Sequence, residues 1–521
     1  MITLTIDNQT IEVPDGATIL DAAEKLGIHI PTMCHLKGLK PSTSCMVCVV
    51  RVEGVKSLVP ACGALALPSM RVTTDSDEIR TARKAALELL LSDHQGDCSG
   101  LCQTGCPAGM DIPQMLRHIA AGDTRAAIEV IKRHIPLPAI LGRICPAPCE
   151  KVCRRGKIDS PVAICRLKRF AADADLYSGE PFTPSVRNTA NKTVAIIGAG
   201  PCGLSAAYYL AQAGILCSVY DEHENPGGAL RYASIDRDVL PLEIVDKEIE
   251  QILKLNITFK PKQRVGRDIP FASLCEQADA VLVASGDSSL YEKNLFSLDE
   301  KEGKIQINRK TYETSRPGVF AAGGAIGSRR LCVRAVADGR EAAETILAFL
   351  DKNRYPAPRR LFNSRMTGLL PEENEALLTL ANPDPRHEPS EPTAGFTSKQ
   401  ACAEARRCLH CDCRKADHCR LRDLAAAFEV KQNTWQGQRK QLSLQVAENE
   451  IVYEPGKCIQ CGLCIQTAQQ QAEATGLAFA GRGFTMTVAV PFHRTLAQAL
   501  TVAGEQCVKN CPTGALAFQN K

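Results

Sequence analysis

No stretch of this 521-residue sequence approaches the ~20 consecutive apolar residues of a membrane span, so the chain is expected to carry none. A large excess of charge of either sign is also lacking. The formal net charge is only +4, which makes no electrostatic case for nucleic acid or a membrane surface. The opening residues, MITLTIDNQTIEV, have neither the basic n-region nor the apolar h-region of an export signal. They alternate like a strand, and a cytoplasmic location is expected. No repeat of fixed period is visible. The segment after Gly286 holds no second Gly-x-Gly-x-x-Gly, and only 31 residues separate Gly286 from Gly318. One βαβ unit alone takes roughly 30 residues, so a complete second nucleotide fold is excluded there.

Cysteine is abundant instead. There are 25, in bunches. A secreted disulfide protein would be short and exported. Tight C-x2-C and C-x3-C spacings in a long chain point to metal ligation in a reducing cytosol, and the oxygen sensitivity of such clusters suggests an anaerobic host. Composition divides the chain into 1–78, strand-rich; 79–188, helical; 189–350, with βαβ patterning; 351–397, a Pro-rich linker with a helix-like PEENEALLTLA; 398–430, a short cysteine segment; and 431–521. The fold class expected is multidomain α/β and α+β.

Cys34, Cys45, Cys48 and Cys62 follow the spacing C-x10-C-x2-C-x13-C. Two strands around an Asp-Asn turn precede them, then a helix that Thr18 can cap and Gly27 can end. Three cysteines in a loop and a distant fourth suit a [2Fe–2S] rhomb, in which each iron keeps two terminal ligands. The alternative is a zinc ribbon, disfavoured by the long first gap. The segment resembles the N-terminal domain of iron-only hydrogenases and of the complex I iron–sulfur subunit, which implies a β-grasp [2Fe–2S] domain.

The text DHQGDCSGLCQTGCPAGMDIPQMLRHI, then GRICPAPCEKVCRRG and SPVAICRLKRFAAD, resembles the helical double-[4Fe–4S] domain of the glutamate synthase small subunit and of dihydropyrimidine dehydrogenase. The resemblance implies interleaved ligands: Cys98, Cys102 and Cys153 for one cluster, and Cys106, Cys145 and Cys149 for the other. His94 stands near the family's further ligand of the first cluster, and an imidazole there would raise the potential. The family's later ligand to the second cluster falls near Lys168, a poor ligand. Cys165, one turn earlier on the same helix face, is the expected substitute. A solvated His94 and an ordinary buried Cys165 are the alternatives. Basic residues (Arg143, Arg154, Arg155, Lys157, Arg166, Lys168, Arg169) crowd this region and would favour reduced clusters, or simply line a solvated helix face.

A β-branched strand over 193–197 runs into Gly198-x-Gly200-Pro201-x-Gly203, a helix, and a second strand ending at Asp221. The first glycine makes the turn, the second admits the pyrophosphate and the third lets helix and strand pack; the acid would accept from ribose hydroxyls. NPGGALRY at 225–232, with Gly228, Leu230 and Arg231, ASGD at 284–287, with Gly286, and RPGVFAAGGAIG at 316–327, with Gly323 and Gly324, resemble the flavin side of the glutamate synthase small-subunit family. So does NSRMTGLL at 363–370. The resemblance implies FAD. Two departures stand out: Gly324 replaces the family's aspartate, and Ala233-Ser234-Ile235-Asp236 replaces its Gly-Ile-Pro. The residues 293–314 read as a small hairpin bridge where the family has its NAD(P)H domain.

Cys408, Cys411, Cys413 and Cys419 would suit a [4Fe–4S] cluster or zinc. Cys458, Cys461 and Cys464 form a bacterial ferredoxin run, whose fourth ligand is expected from Cys511 in CPTGAL. A second ferredoxin cluster is excluded by Ala468, Thr501 and Gly504, which leaves Cys507 without a cluster. The region resembles the ferredoxin part of the complex I iron–sulfur subunit. The sum is one [2Fe–2S], about four [4Fe–4S] and one FAD. The implied role is an electron-transfer oxidoreductase subunit of a cytosolic multi-subunit complex, electron-bifurcating in some relatives. Its partners would be an NAD(P)H-oxidising flavin/iron–sulfur subunit, a hydrogenase or formate dehydrogenase-like subunit, or ferredoxin. The alternatives are a self-sufficient FAD enzyme for a small substrate and a cluster scaffold with a vestigial flavin site. No catalytic residue is assigned.

Overall fold

The structure is a computed structural model and describes residues 1–92, 94–188, 191–286, 295–327, 331–351, 361–366, 368–391, 393–435, 442–447 and 450–519. Five sheets carry the β structure of the described residues. The first holds β1 (Ile2–Ile6), β2 (Gln9–Val13), β3 (Val49–Val52), β4 (Val59–Pro60) and β5 (Arg71–Thr73) in the order β2-β1-β5-β3-β4. The β1–β2 hairpin pairs Ile6 with Gln9, so its loop is Asp7-Asn8, both at positive φ. That is the conformation a two-residue loop needs and one that Asp and Asn tolerate. β1 and β5 run parallel. Helix Ile19–Lys25 packs on this sheet. Thr18 caps it with a reciprocal bond from Asp21, and Gly27 leaves it at φ +73°.

The second sheet is β6 (Thr193–Ile197), β7 (Leu216–Tyr220), β8 (Ile257–Lys260), β9 (Ala280–Val283) and β12 (Val319–Ala321). All are parallel, in the order β12-β9-β6-β7-β8. The central strands are buried on both faces, hence the continuous run VAIIG instead of alternation. The order reverses beside β6, where Rossmann-like sheets bind nucleotides. Between β9 and β12, the described residues 295–318 hold a single antiparallel hairpin, β10 (Glu300–Lys301) and β11 (Lys304–Ile305), as expected for the bridge. Ile305 of that hairpin joins Val283, Val319 and Phe271 in the core on one face of the sheet. The C-terminal region has β13 (Gln445–Val446), β14 (Ile451–Tyr453) and β17 (Leu516–Phe518) in one sheet and β15 (Ala478–Ala480) with β16 (Thr487–Ala489) in another.

The chain forms two compact units, each gathered from distant segments. One comprises Met1–Gly100, Arg360–Leu380 and His410–Lys521. The other comprises Leu101–Arg359 and Ala381–Leu409. In the second unit, residues 381–409 are strapped to the helical region by buried charge. Arg407, fully buried, donates to Asp159, Glu404 and two backbone carbonyls. Glu404 accepts from the backbone N–H of Ala163 and of His387. Buried charges persist only when each is paired in this way. Among the described residues no helix is long and apolar enough to cross a membrane.

Candidate iron–sulfur and nucleotide sites

Cys34, Cys45, Cys48 and Cys62 are all buried. Their free thiols lie within hydrogen-bonding reach of one another: Cys34 of Cys45 and Cys62, and Cys48 of Cys62. The bonds from Cys45 and Cys62 favour the Cys34 thiolate and pull its pKa down; the Cys62 thiol holds Cys48 at about 7. The same contacts push the Cys45 and Cys62 thiols up, so the four share their protons, which binding of a metal centre would release.

Cys458, Cys461, Cys464 and Cys511 line one cavity with Tyr453, Val488 and Leu516. Burial pushes the Cys461 thiol up to about 12. Cys507 lies behind, fully buried, its Sγ donating to the Cys464 carbonyl at 3.4 Å. It therefore supports a ligand-bearing turn instead of facing the cavity.

The other cysteines of this unit are arranged less predictably. The Cys413 N–H donates to the Cys98 carbonyl at 3.3 Å. Burial pushes Cys419 up to about 12, with the charges of Cys413 and Cys98 adding to the effect. Cys34, Cys45, Cys419 and Cys461 belong to one buried apolar cluster with Met33, Leu87 and Leu463. The Ser42 hydroxyl joins the N-terminal loop to the ferredoxin run by donating to the Cys461 carbonyl at 3.2 Å.

In the second unit, Cys165 meets both Cys145 and Cys149, and Cys106 acts electrostatically on Cys149. Lys168 is buried, with Nζ 3.9 Å from Cys165 Sγ. Burial opposes its charge, but the Cys165, Cys145, Cys106 and Cys149 thiols outweigh that and raise its pKa. So the residue at the family's ligand position is a counter-ion to the thiols. Cys102 sits on the short helix Leu101–Gly105, which packs on Pro148–Lys151 just before Cys153. Cys408 falls in the core of this unit, whereas Cys411, Cys413 and Cys419 fall in the other. Among the described residues no three or more His, Cys, Asp or Glu side chains close on one point as ligands of a single ion would. The ligands of an iron–sulfur cluster bind separate irons and stand around the cluster instead.

The nucleotide fingerprint folds as a tight cradle. Gly198, at φ +105°, ends β6; a Cβ there would stand 2.4 Å from the Ala284 carbonyl. A Cβ at Gly203 would lie 2.0 Å from the Gly198 carbonyl, so helix Pro201–Gln212 can approach the strand only with glycine there. Gly200 caps that twelve-residue helix and has open space beside it, room for a phosphate at a helix N-terminus. Gly228, at φ +50°, lies against Gly200, 2.9 Å from the Gly200 Cα by its missing Cβ. Gly323, at φ +66°, lies against Cys202; Gly324 is in the 3-10 turn Gly323–Ile326, and Gly286 is at φ +87°. Leu230 is buried and Arg231 pairs with Asp246. Asp221 is committed further than the sequence indicates: it accepts from the Ala199 N–H at 2.7 Å and contacts His223 Nδ1 at 2.9 Å. His223 stacks on Tyr232 at 4.1 Å. A carboxylate has acceptor capacity left for a ribose after these bonds. The signal for this lay in the DEH and LRY triplets.

Comparison with known proteins matches three segments. Residues 1–77 match a 2Fe-2S iron-sulfur cluster binding domain, 94–179 the dihydropyrimidine dehydrogenase domain II, 4Fe-4S cluster, and 196–248 an NAD(P)-binding Rossmann-like domain. The chain is 37% identical over 223 residues to the NADP(+)-dependent formate dehydrogenase subunit beta of Moorella thermoacetica, covering 39% of this chain and 31% of that protein. It is 36% identical over 215 residues to the NAD-dependent dihydropyrimidine dehydrogenase subunit PreT of Escherichia coli, covering 41% and 52%. It is 34% identical over 199 residues to the glutamate synthase [NADPH] small chain of Mycobacterium tuberculosis, covering 38% and 40%. The chain thus spans about half or less of these relatives. It contains iron–sulfur domains of both the 2Fe-2S and 4Fe-4S kinds and a Rossmann-like parallel sheet, in a mixed α/β multidomain architecture.

Proposed function

We propose that the chain is an iron–sulfur flavoprotein, the electron-transfer subunit of a cytosolic multi-subunit oxidoreductase. The observation that carries this reading is the shared apolar cluster of Cys34, Cys45, Cys419 and Cys461: thiols from three separate cysteine groups are packed into one buried apolar cluster. A bound flavin supplies conversion between two-electron and one-electron transfer, and clusters supply single-electron steps. The residues of this chain hold those groups close, exclude water and compensate charge, as Lys168 does beside Cys145, Cys149 and Cys165.

The finer assignments belong to this proposal: the β-grasp, double-cluster, FAD and ferredoxin-like domains at the boundaries given above, one [2Fe–2S], about four [4Fe–4S] and one FAD. FAD is favoured over a pyridine nucleotide by the glycines of 227–228 and 323–324, which extend the cradle past the phosphate-binding turn. The matched Rossmann-like family is described as NAD(P)-binding, so nucleotide identity is the point to test. The relatives named above act in complexes with NAD or NADP in their names, which supports redox partner subunits of that kind. Anaerobic purification with iron, sulfide and flavin counts tests the reading. Expected are about eighteen irons and one FAD per chain; a chain without iron, or one that retains NADP and no flavin, overturns it.

A further inference from the structure

We propose that Cys98, Cys413 and Cys419 ligate one and the same iron–sulfur cluster, so that Cys98 does not share a cluster with Cys102 and Cys153. The inference rests on the iron–sulfur reading above. Three loops of one compact unit build the site. The 94–98 loop is laid along 454–457: the Gln95 N–H donates to the Gly456 carbonyl at 2.8 Å, and a Cβ on Gly456 would stand 2.8 Å from Gln95 Cβ. The 411–419 loop is fastened to the first by the Cys413 N–H on the Cys98 carbonyl. The 512–514 turn closes the site. The Pro512 carbonyl lies 3.9 Å from Cys419 Sγ, and a Cβ on Gly514 would stand 2.3 Å from Cys413 Sγ. Glycine at 514 is what leaves room for that sulfur.

Burial raises the Cys98 and Cys419 thiols, and the donors and cations beside these sulfurs are what would offset it in a thiolate centre. The Ser364 N–H donates to Cys98 Sγ at 3.3 Å. Such N–H bonds to sulfur stabilise the thiolate and tune a cluster's potential. Lys457, almost fully buried, acts on both Cys98 and Cys413, and Lys415 on Cys413 and Cys419. Buried Lys457, which also pairs with Glu454, and half-buried Lys415 place two ammonium groups near these cysteines, where they would offset part of the negative charge that a thiolate centre brings. His94 and Cys411 lie on the same two loops and are the ligand-type side chains from which a fourth ligand would come. Cys419 also belongs to the apolar cluster that holds Cys34, Cys45 and Cys461. The site therefore neighbours both the N-terminal group and the ferredoxin group, the place of an intermediate station in an electron path.

The experiment uses the full chain, purified anaerobically, as Cys98→Ser, Cys413→Ser, Cys102→Ser and their pairwise combinations. Iron, sulfide and the low-temperature EPR spectrum of the reduced protein are read, with the [2Fe–2S] signal as the control for folding. Each single variant is expected to lose about four irons. Cys98→Ser with Cys413→Ser should lose no more than either alone and abolish the same EPR signal. Cys102→Ser with Cys413→Ser should lose about eight. The inference is overturned if Cys98→Ser with Cys413→Ser loses about eight while Cys98→Ser with Cys102→Ser loses about four. A parent chain without iron sinks the underlying iron–sulfur reading instead.

Discussion

The Cys34–Cys62 group and the Cys98, Cys413 and Cys419 group are built in opposite ways. The first comes from one continuous stretch beside one small sheet, and its four free thiols already lie within hydrogen-bonding reach of one another. The second is drawn from loops at distant points of the chain, joined by one backbone bond and a glycine that leaves space for sulfur. A local site is specified by spacing. An assembled site is specified by packing, so its membership follows the fold and is not written in any one motif.

Substitutions separate the two kinds of site. The largest effect is expected from Cys165→Ser, since Cys165 joins Cys145 and Cys149 and offsets the buried Lys168. About four irons should be lost, with a fall in thermal stability, because an ammonium is left among neutral partners. Cys48→Ser should remove about two irons and leave the [4Fe–4S] signals in place, as a self-contained site demands; iron counts and EPR decide both. Gly198→Ala should abolish flavin retention without loss of iron, because its Cβ meets the Ala284 carbonyl at 2.4 Å. Absorbance of the released nucleotide measures this.

Smaller effects are expected away from the ligands. Glu248 is buried, accepts from the Ala139 and Ile140 N–H groups, and burial raises its pKa from 4.5 to about 7. The native state then binds the extra proton between those values. Stability from this group is present below pH 4.5 and lost as pH rises through about 7. Across that window Glu248→Gln should flatten the pH dependence of unfolding by about 3 kcal/mol. Cys507→Ala should change least of all, with no iron lost, since its sulfur only supports the Cys464 carbonyl.

Much of the architecture was legible because it is local. The strand over 193–197, the glycine turn and the following helix declare themselves within twenty residues or so, and the Asp-Asn loop and the Thr18 cap are read from single side chains. The Cys458–Cys464 run finds Cys511 through its neighbouring proline. Long-range packing was not legible. Nothing in the run 408–419 tells that Cys408 belongs to the helical unit while Cys413 and Cys419 belong to the other. The Pro-rich composition of 381–397 conceals how Arg407 and Glu404 bind that segment down, because a buried ion pair carries no periodicity. Asp221 was legible as an acid at the end of a strand, but its bonds to Ala199 and His223 depend on how two turns meet.

On the proposed function, electrons enter and leave this chain through iron–sulfur centres and partner proteins, and not through a nicotinamide bound by the chain itself. The most direct test is an anaerobic titration of the isolated chain with NADH and NADPH, following flavin absorbance. Neither nucleotide is expected to bleach the flavin, whereas a reduced ferredoxin should do so through the clusters. Rapid, stoichiometric bleaching by NADH or NADPH, with no partner present, would contradict it.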